Sequence, residues 1–306
     1  MMLKGESCSQ GDGADVTPVE VCVGLPIYNG AKTLARAIED LEHQSYRDIM
    51  FVVSDNGSND GTAEICLEWA RRDHRVRLFH HLRTISATDN FNFVLSHCRS
   101  PYFMWAAHDD FRDTDYIVNL LMALKQHPDA ILAFGDVVEY VDSVACPLKL
   151  DFATKGKNAL QRMRWAAMSQ LHHLYGLWRT DALQRIKWHH VDWWHDTPLM
   201  MAASQIGELI YVPGVTFHYP GNQHPFFDWS ATPGGQSLDS HLRQGMRRAR
   251  DVSRLIWLSG QTVADVAGTR AGIVATFWVA LKVSQQIGGF VLRRLLRSLR
   301  LNSSQP

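Results

Sequence analysis

Residues 48–69, DIMFVVSDNGSNDGTAEICLEW, hold a strand, a loop and a helix in one run. Asp48–Ser54 is apolar and rich in β-branched side chains, the composition of a strand buried on both faces. A helix follows through Ile65, Leu67 and Trp69. Between them, Asp55-Asn56-Gly57-Ser58-Asn59-Asp60-Gly61-Thr62 is far too polar for a plain connection directly after a buried strand. Asp55 is placed at the strand end to accept hydrogen bonds from a base or ribose, while Asp60 and Thr62 are credible caps for the helix.

The same unit recurs on both sides. Val19–Ile27 is a buried-strand run, followed by Ala31–Gln44 with Leu34, Ile38 and Leu41 at helical spacing. Downstream, strands are expected at Val76–Phe79, Tyr102–Ala107 and Ala130–Phe134, and helices at Asn90–Cys98 and Ile117–Lys125. Strand and helix in alternation predict an α/β fold with a mostly parallel sheet flanked by helices. In such a fold the strand-to-helix loops gather at the carboxyl ends of the strands, where open α/β sheets bind ligands. Past Leu150 the expectation is turns and short helices, and past Ser237 helices that end in a basic tail.

Bulk composition sets the outer limits. A chain of 306 residues, 46% hydrophobic and 20% charged, can build a sizeable core. Lys+Arg and Asp+Glu balance at 31 each, so no overall charge attracts nucleic acid. Five scattered cysteines without a CxxC pair argue against a disulfide framework or a cysteine-rich zinc site, and fit a reducing cytosol. His80-His81, His172-His173 and His189-His190 match no zinc spacing either. The first residues lack the apolar run of a secretory signal, and no stretch has the composition of a membrane span.

Two more loops carry chemistry. In Gly24-Leu25-Pro26-Ile27-Tyr28-Asn29-Gly30, proline and glycine bracket a strand exit, and Asn29-Gly30 can open the next helix with free backbone N–H groups. A tight turn is the plainer reading of that loop. In His108-Asp109-Asp110, adjacent carboxylates repel unless a cation or donor offsets them. Hard oxygen ligands there suit Mg²⁺ or Mn²⁺ bridging a diphosphate, while a helix cap is the competing role. The chain has neither a G-x-G-x-x-G dinucleotide fingerprint nor the G-K-[ST] of a P-loop.

Three such loops in this order resemble the inverting family-2 glycosyltransferases of the GT-A fold. The resemblance runs from about Val19 to Pro225 and is strongest in GLPIYNGAKTLARAIEDLEHQSYRD, SDNGSNDGTAEIC, YFMWAAHDDF and YGLWRTDAL. It implies a GT-A domain at 16–230, with a donor half at 16–140 and an acceptor half at 141–230. Residues 1–15 would be a disordered lead-in and 231–306 a helical basic extension. It further implies that Pro26, Tyr28, Asn29, Asp55 and Asn90 lie beside the donor nucleotide. Asp109 would bind the metal within a D-x-D element whose first Asp is replaced by Ala107, with Asp110 as a neighbouring ligand. The chain departs from the family again at Arg83-Thr84-Ile85-Ser86, where Asn and Gly are usual.

In the acceptor half, Trp193-Trp194-His195-Asp196-Thr197 looks like the family's x-D element, which makes Asp196 the catalytic base. Asp196 is equally suited to cap the helix that begins near Pro198. Trp193 and Trp194 are the tryptophans best placed to stack on an acceptor sugar, and His195 stands beside them. His218 and His224 are candidates for a further metal or diphosphate contact, against an ordinary packing role.

The implied activity is transfer of a sugar from a nucleotide-sugar to a hydroxyl acceptor, a cell-surface glycan or lipid-linked saccharide. After Asp265 no acidic residue occurs, while Arg270, Lys282, Arg293, Arg294, Arg297 and Arg300 do. Such a tail suits an anionic membrane surface, at the cytoplasmic face of the plasma membrane, or packing on the domain. The competing classes are an inactive binding module of the same fold and, less well matched, a nucleotidyltransferase.

Overall fold

The computed structural model describes residues 19–148, 154, 156–168, 172–187, 196–221 and 256–282. Its first strand, β1 (Val21–Ile27), is buried throughout because it lies between two parallel neighbours. On one side is β2 (Ile49–Asp55), reached through α1 (Leu34–Glu42). Next come α2 (Thr62–Arg72) and β3 (Val76–His80), paired parallel to β2, then α3 (Ala87–Ser96) and β4 (Tyr102–Trp105) on the other flank of β1. This parallel block, in the order β3-β2-β1-β4, matches the expected alternation closely. Helix α3 begins before the expected Asn90 because Ser86 caps it, accepting Asp89 N–H at 3.1 Å.

The remaining strands widen the sheet with mixed pairing. They are β5 (Phe111–Arg112), β6 (Ala130–Val141), β7 (Val144–Pro147), β8 (Leu177–Arg179) and β9 (Glu208–Pro220). Strand β8 joins β4 to β6 antiparallel, and the sheet runs on as β6-β9-β5, with β7 as a hairpin on β6. The second half of the chain thus contributes strands where turns and short helices were expected. Strand β9 carries Pro213-Gly214 in its middle, which reads as a break. Its pairing with β6 jumps there, between Phe134 and Asp136. Asp136 accommodates the jump by accepting Gly214 N–H at 3.0 Å and the Tyr211 hydroxyl.

Side chains on the two faces of the sheet form two cores. Val21, Val23, Leu25 and Ile27 pack with Leu34, Ile38 and Leu41 of α1, Trp69 of α2 and the buried stripe of α4 (Tyr116–Gln126). On the opposite face, a Cβ at Gly24 would come within 2.8 Å of Val94 and Phe103, so only glycine lets α3 sit this close to β1. That second core also takes in α5 (Ala159–Met168), α7 (Asp196–Ile206) and two C-terminal helices, α8 (256–267) and α9 (269–282). The short α6 (Thr180–Gln184) precedes α7. Thr197–Ser204 of α7 is buried at every position, and its middle, Leu199–Ala203, is apolar all round, as suits a helix covered on all sides. Helices α8 and α9 meet at small residues: a Cβ on Gly272 would lie 2.6 Å from the Gly260 carbonyl.

Candidate active site

The carboxyl ends of β1, β2 and β4 deliver the three polar loops to one edge of the sheet. The first two loops are laced together. Asn29 N–H donates to Ser58 Oγ at 2.9 Å, Gly30 N–H to Thr62 Oγ1 at 2.9 Å, and Ala31 N–H to Asp60 Oδ2 at 3.1 Å. The backbone N–H groups at Asn29-Gly30 are therefore not free, which corrects the expectation of an open helix start there. The reason lies in the composition of the second loop, whose side chains satisfy the first loop's backbone. Asn29 adopts φ 51° and its Oδ1 accepts Asn59 N–H at 3.1 Å, closing the lacing from the other side. Asp60 also accepts Thr62 N–H at 3.1 Å, but the N-cap of α2 is Gly61, at φ 95° and with no side-chain cap bond, which corrects the capping expected of Asp60 and Thr62. The Thr62 hydroxyl bond lowers Asp60's pKa.

Behind this lacing stands a second tier. Asn56 is buried and grips Ile85 twice, Nδ2 donating to its carbonyl at 2.9 Å and Oδ1 accepting its N–H at 2.8 Å. Asn90 is also buried: Ser54 Oγ donates to its Oδ1 at 2.6 Å and its Nδ2 donates to the Ser54 carbonyl at 3.3 Å. The structure places Asn90 behind the end of β2, bracing it. Pro26 is buried within β1, opposite Ser54. Of the donor-side candidates, Tyr28, at 48%, and Asn29 are exposed. Asp55 is buried, with Oδ2 at 2.7 Å from Nδ1 of His80 and Oδ1 accepting Ser58 N–H at 3.2 Å. Of the histidine pairs without zinc spacing, His80-His81 thus enters the site, and His81 lies 3.0 Å from Ser54 Oγ.

The third loop is seated against the first. His108 Nδ1 lies 2.9 Å from Thr33 Oγ1, and a Cβ on Gly30 would strike the same imidazole at 2.7 Å. Asp109 is exposed and Asp110 is buried. Asp110 forms no hydrogen bond among the described residues, and burial, then the charge of Asp109, raises its pKa to about 8. Arg112 partly counters this from below. Its own guanidinium is buried, paired to Asp40 at 3.0 Å, with Nε and Nη2 finding no acceptor among the described residues. Neither the Arg112–Asp40 pair nor the Asn56 latch has a local sequence signature, because each joins residues far apart in the chain.

Tyr175 ends the short turn His172–Tyr175 that precedes β8. Burial first, then the negative charges of Asp110, Asp196 and Asp109, push its phenol well above the ordinary value. The same ring stacks on Phe217 at 5.2 Å. Asp196 opens α7; burial lowers the pKa of Lys282 in α9, while the charge of Asp196 pulls it upward. His218 is held by packing, 3.1 Å from Asp113 and stacked on Phe111 at 4.5 Å. Trp193, Trp194, His195 and His224 lie outside the described residues. Among the described residues no group of three or more His, Cys, Asp or Glu side chains is arranged to hold a metal ion.

Comparison with known proteins agrees with this geometry. The chain is 30% identical over 123 residues to glycosyltransferase GlyG of Streptococcus pneumoniae, a match covering 40% of each chain. It is 27% identical over 124 residues to GlyA of the same organism, covering 40% of this chain and 18% of the relative. It thus spans less than half the length of these curated relatives. Among solved structures, S. aureus TarS 1-349 in complex with UDP-GlcNAc is similar at a TM-score of 0.63 and 12% identity, over 86% of this chain and 71% of that one. The mannosyltransferase PcManGT from Pyrobaculum calidifontis, in complex with GDP-Man and Mn²⁺, is similar at a TM-score of 0.51 and 17% identity, over 94% and 84%. These likenesses concern the fold, which is GT-A-like. Residues 22–184 match the model of "Glycosyl transferase family 2", the segment holding all three loops, and the chain belongs to that family.

Proposed function

We propose that this protein transfers a sugar from a nucleotide-sugar to a hydroxyl of a saccharide or lipid-linked saccharide, by a single inverting displacement. The observation that supports the reading is the gathering of the three polar loops at the carboxyl ends of β1, β2 and β4, with Asp109 exposed and Asp110 buried on the third. Two similar structures are complexes with UDP-GlcNAc and with GDP-Man, which makes these the first donors to try.

A divalent cation fits the third loop. Asp110 is buried beside Asp109 with its charge incompletely countered, a situation that a cation relieves. Asp109 and Asp110 would hold Mg²⁺ or Mn²⁺ and leave coordination positions for diphosphate oxygens and water. When bound, such an ion offsets the charge that develops on the departing diphosphate. The chain's own residues do the rest. The laced loops fix the edge on which the nucleotide lies, with Tyr28 exposed to it. Asp196 takes the proton of the acceptor hydroxyl as that oxygen bonds to the anomeric carbon. The bond from that carbon to the diphosphate breaks, and the nucleoside diphosphate leaves. The basic C-terminal stretch brings this site to an anionic membrane surface where the acceptor is lipid-linked.

The test is release of free nucleoside diphosphate from a panel of nucleotide-sugars with Mg²⁺ or Mn²⁺. Asp109→Asn should abolish release and weaken metal-dependent nucleotide binding without lowering the melting temperature. Undiminished release by that variant, or in excess chelator, removes the metal role. Donor binding with no release under any acceptor condition favours the inactive-module reading, to which Ala107 in the D-x-D element points.

A further inference from the structure

Asp55 ends β2 where a donor's base would seek a carboxylate, yet it is 1% exposed. Its Oδ1 accepts Ser58 N–H at 3.2 Å and its Oδ2 is 2.7 Å from Nδ1 of His80. The group that reaches solvent at this point is the imidazole of His80, whose side chain is 47% exposed. His80 closes β3 directly opposite Asp55 in the parallel register, at the same sheet edge as the three loops. Its neighbour His81 is turned inward, engaged with Ser54 Oγ at 3.0 Å and edge-on to Phe93 at 4.7 Å.

We propose that His80, oriented by Asp55, is the residue that reads the base of the nucleotide donor, and that it selects bases carrying an imino N–H. This rests on the donor site proposed above. A carboxylate can only accept, so the proton of the neutral ring sits on Nδ1, and Nε2 presents a lone pair to solvent. Uracil and guanine each offer a ring N–H at the centre of the Watson–Crick edge, to which that lone pair is complementary. Adenine and cytosine present a ring nitrogen acceptor at the same position, so the two lone pairs would face each other. A site built around one acceptor rejects the mismatched base because a polar group on each side is left unpaired.

Titration calorimetry of the full chain with UDP, GDP, ADP and CDP, in Mg²⁺ buffer, tests this with the diphosphate held constant. UDP or GDP should bind roughly tenfold or more tightly than ADP and CDP. His80→Ala, at a half-exposed position, should bring the favoured nucleotide to the level of ADP and CDP and leave those two unchanged. His80→Gln, whose amide keeps an acceptor, should restore part of the preference. Discrimination that survives in His80→Ala, or a wild-type preference for ADP or CDP, overturns the assignment while leaving the donor site standing. Failure of the wild type to bind any of the four removes the donor site itself, and this inference with it.

Discussion

His172 stacks on Tyr219 at 4.0 Å, and burial draws its pKa down to about 4 from an ordinary 6.5. The unfolded chain takes up a proton near pH 6.5 that the folded chain refuses until about pH 4. Stability should therefore fall as pH drops through that window, by at most about 1.4 kcal/mol per pH unit from this residue. His172→Phe should flatten the pH dependence of the melting temperature between those limits. Identical slopes for wild type and variant would show that the imidazole is not held neutral. Asp110 works in the opposite sense, since its raised pKa means that ionising it opposes folding. Of these two, only Asp110 could be singled out from its neighbours in the chain, because adjacent carboxylates are a local signal. What buries His172 is Tyr219, which no local pattern reveals.

At the scale of elements, the parallel block was legible because β1, β2 and β4 are largely apolar runs and α1 shows one apolar stripe. Strand β9 was not, since Pro213-Gly214 imitates a turn and only Asp136, on another strand, makes the irregularity tolerable. The second loop's polarity is exceptional, but Ser58, Asp60 and Thr62 spend theirs on the first loop's backbone. Helix α7 poses the sharper question, because Asp196 in its first turn is placed to favour the helix dipole as well as to act as base. Asp196→Asn separates the two roles. Loss of the base should cut turnover by about two to four orders of magnitude. Loss of the charge near the helix terminus should cost only about 0.3–1 kcal/mol, leaving donor affinity intact. Should donor affinity collapse together with stability, Asp196 is a cap and the base lies elsewhere.

For the molecule as a whole, the C-terminal helices decide how the site meets its surroundings. Helices α8 and α9 bury Leu258, Val263, Ala275 and Val279 in the core shared with α7. Residues 256–282 are thus packed against the core. The same two helices leave Trp257, Ile273 and Phe277 60% or more exposed. No helix among the described residues is long and apolar enough to cross a membrane. Beyond Lys282 the sequence holds Arg293, Arg294, Arg297 and Arg300 without one acidic residue. An anionic bilayer complements both features, each basic side chain near the surface contributing about 1 kcal/mol and the exposed apolar side chains adding an attraction that salt does not screen. The full chain should accordingly bind vesicles containing phosphatidylserine, less so in high salt. A chain ending at Lys282 should keep its melting temperature and nucleotide binding but lose most vesicle affinity. Trp257→Ala with Phe277→Ala should instead reduce the part of binding that survives high salt. If the shortened chain binds vesicles as well as the full one, the basic stretch is no anchor, and the exposed apolar side chains need another explanation.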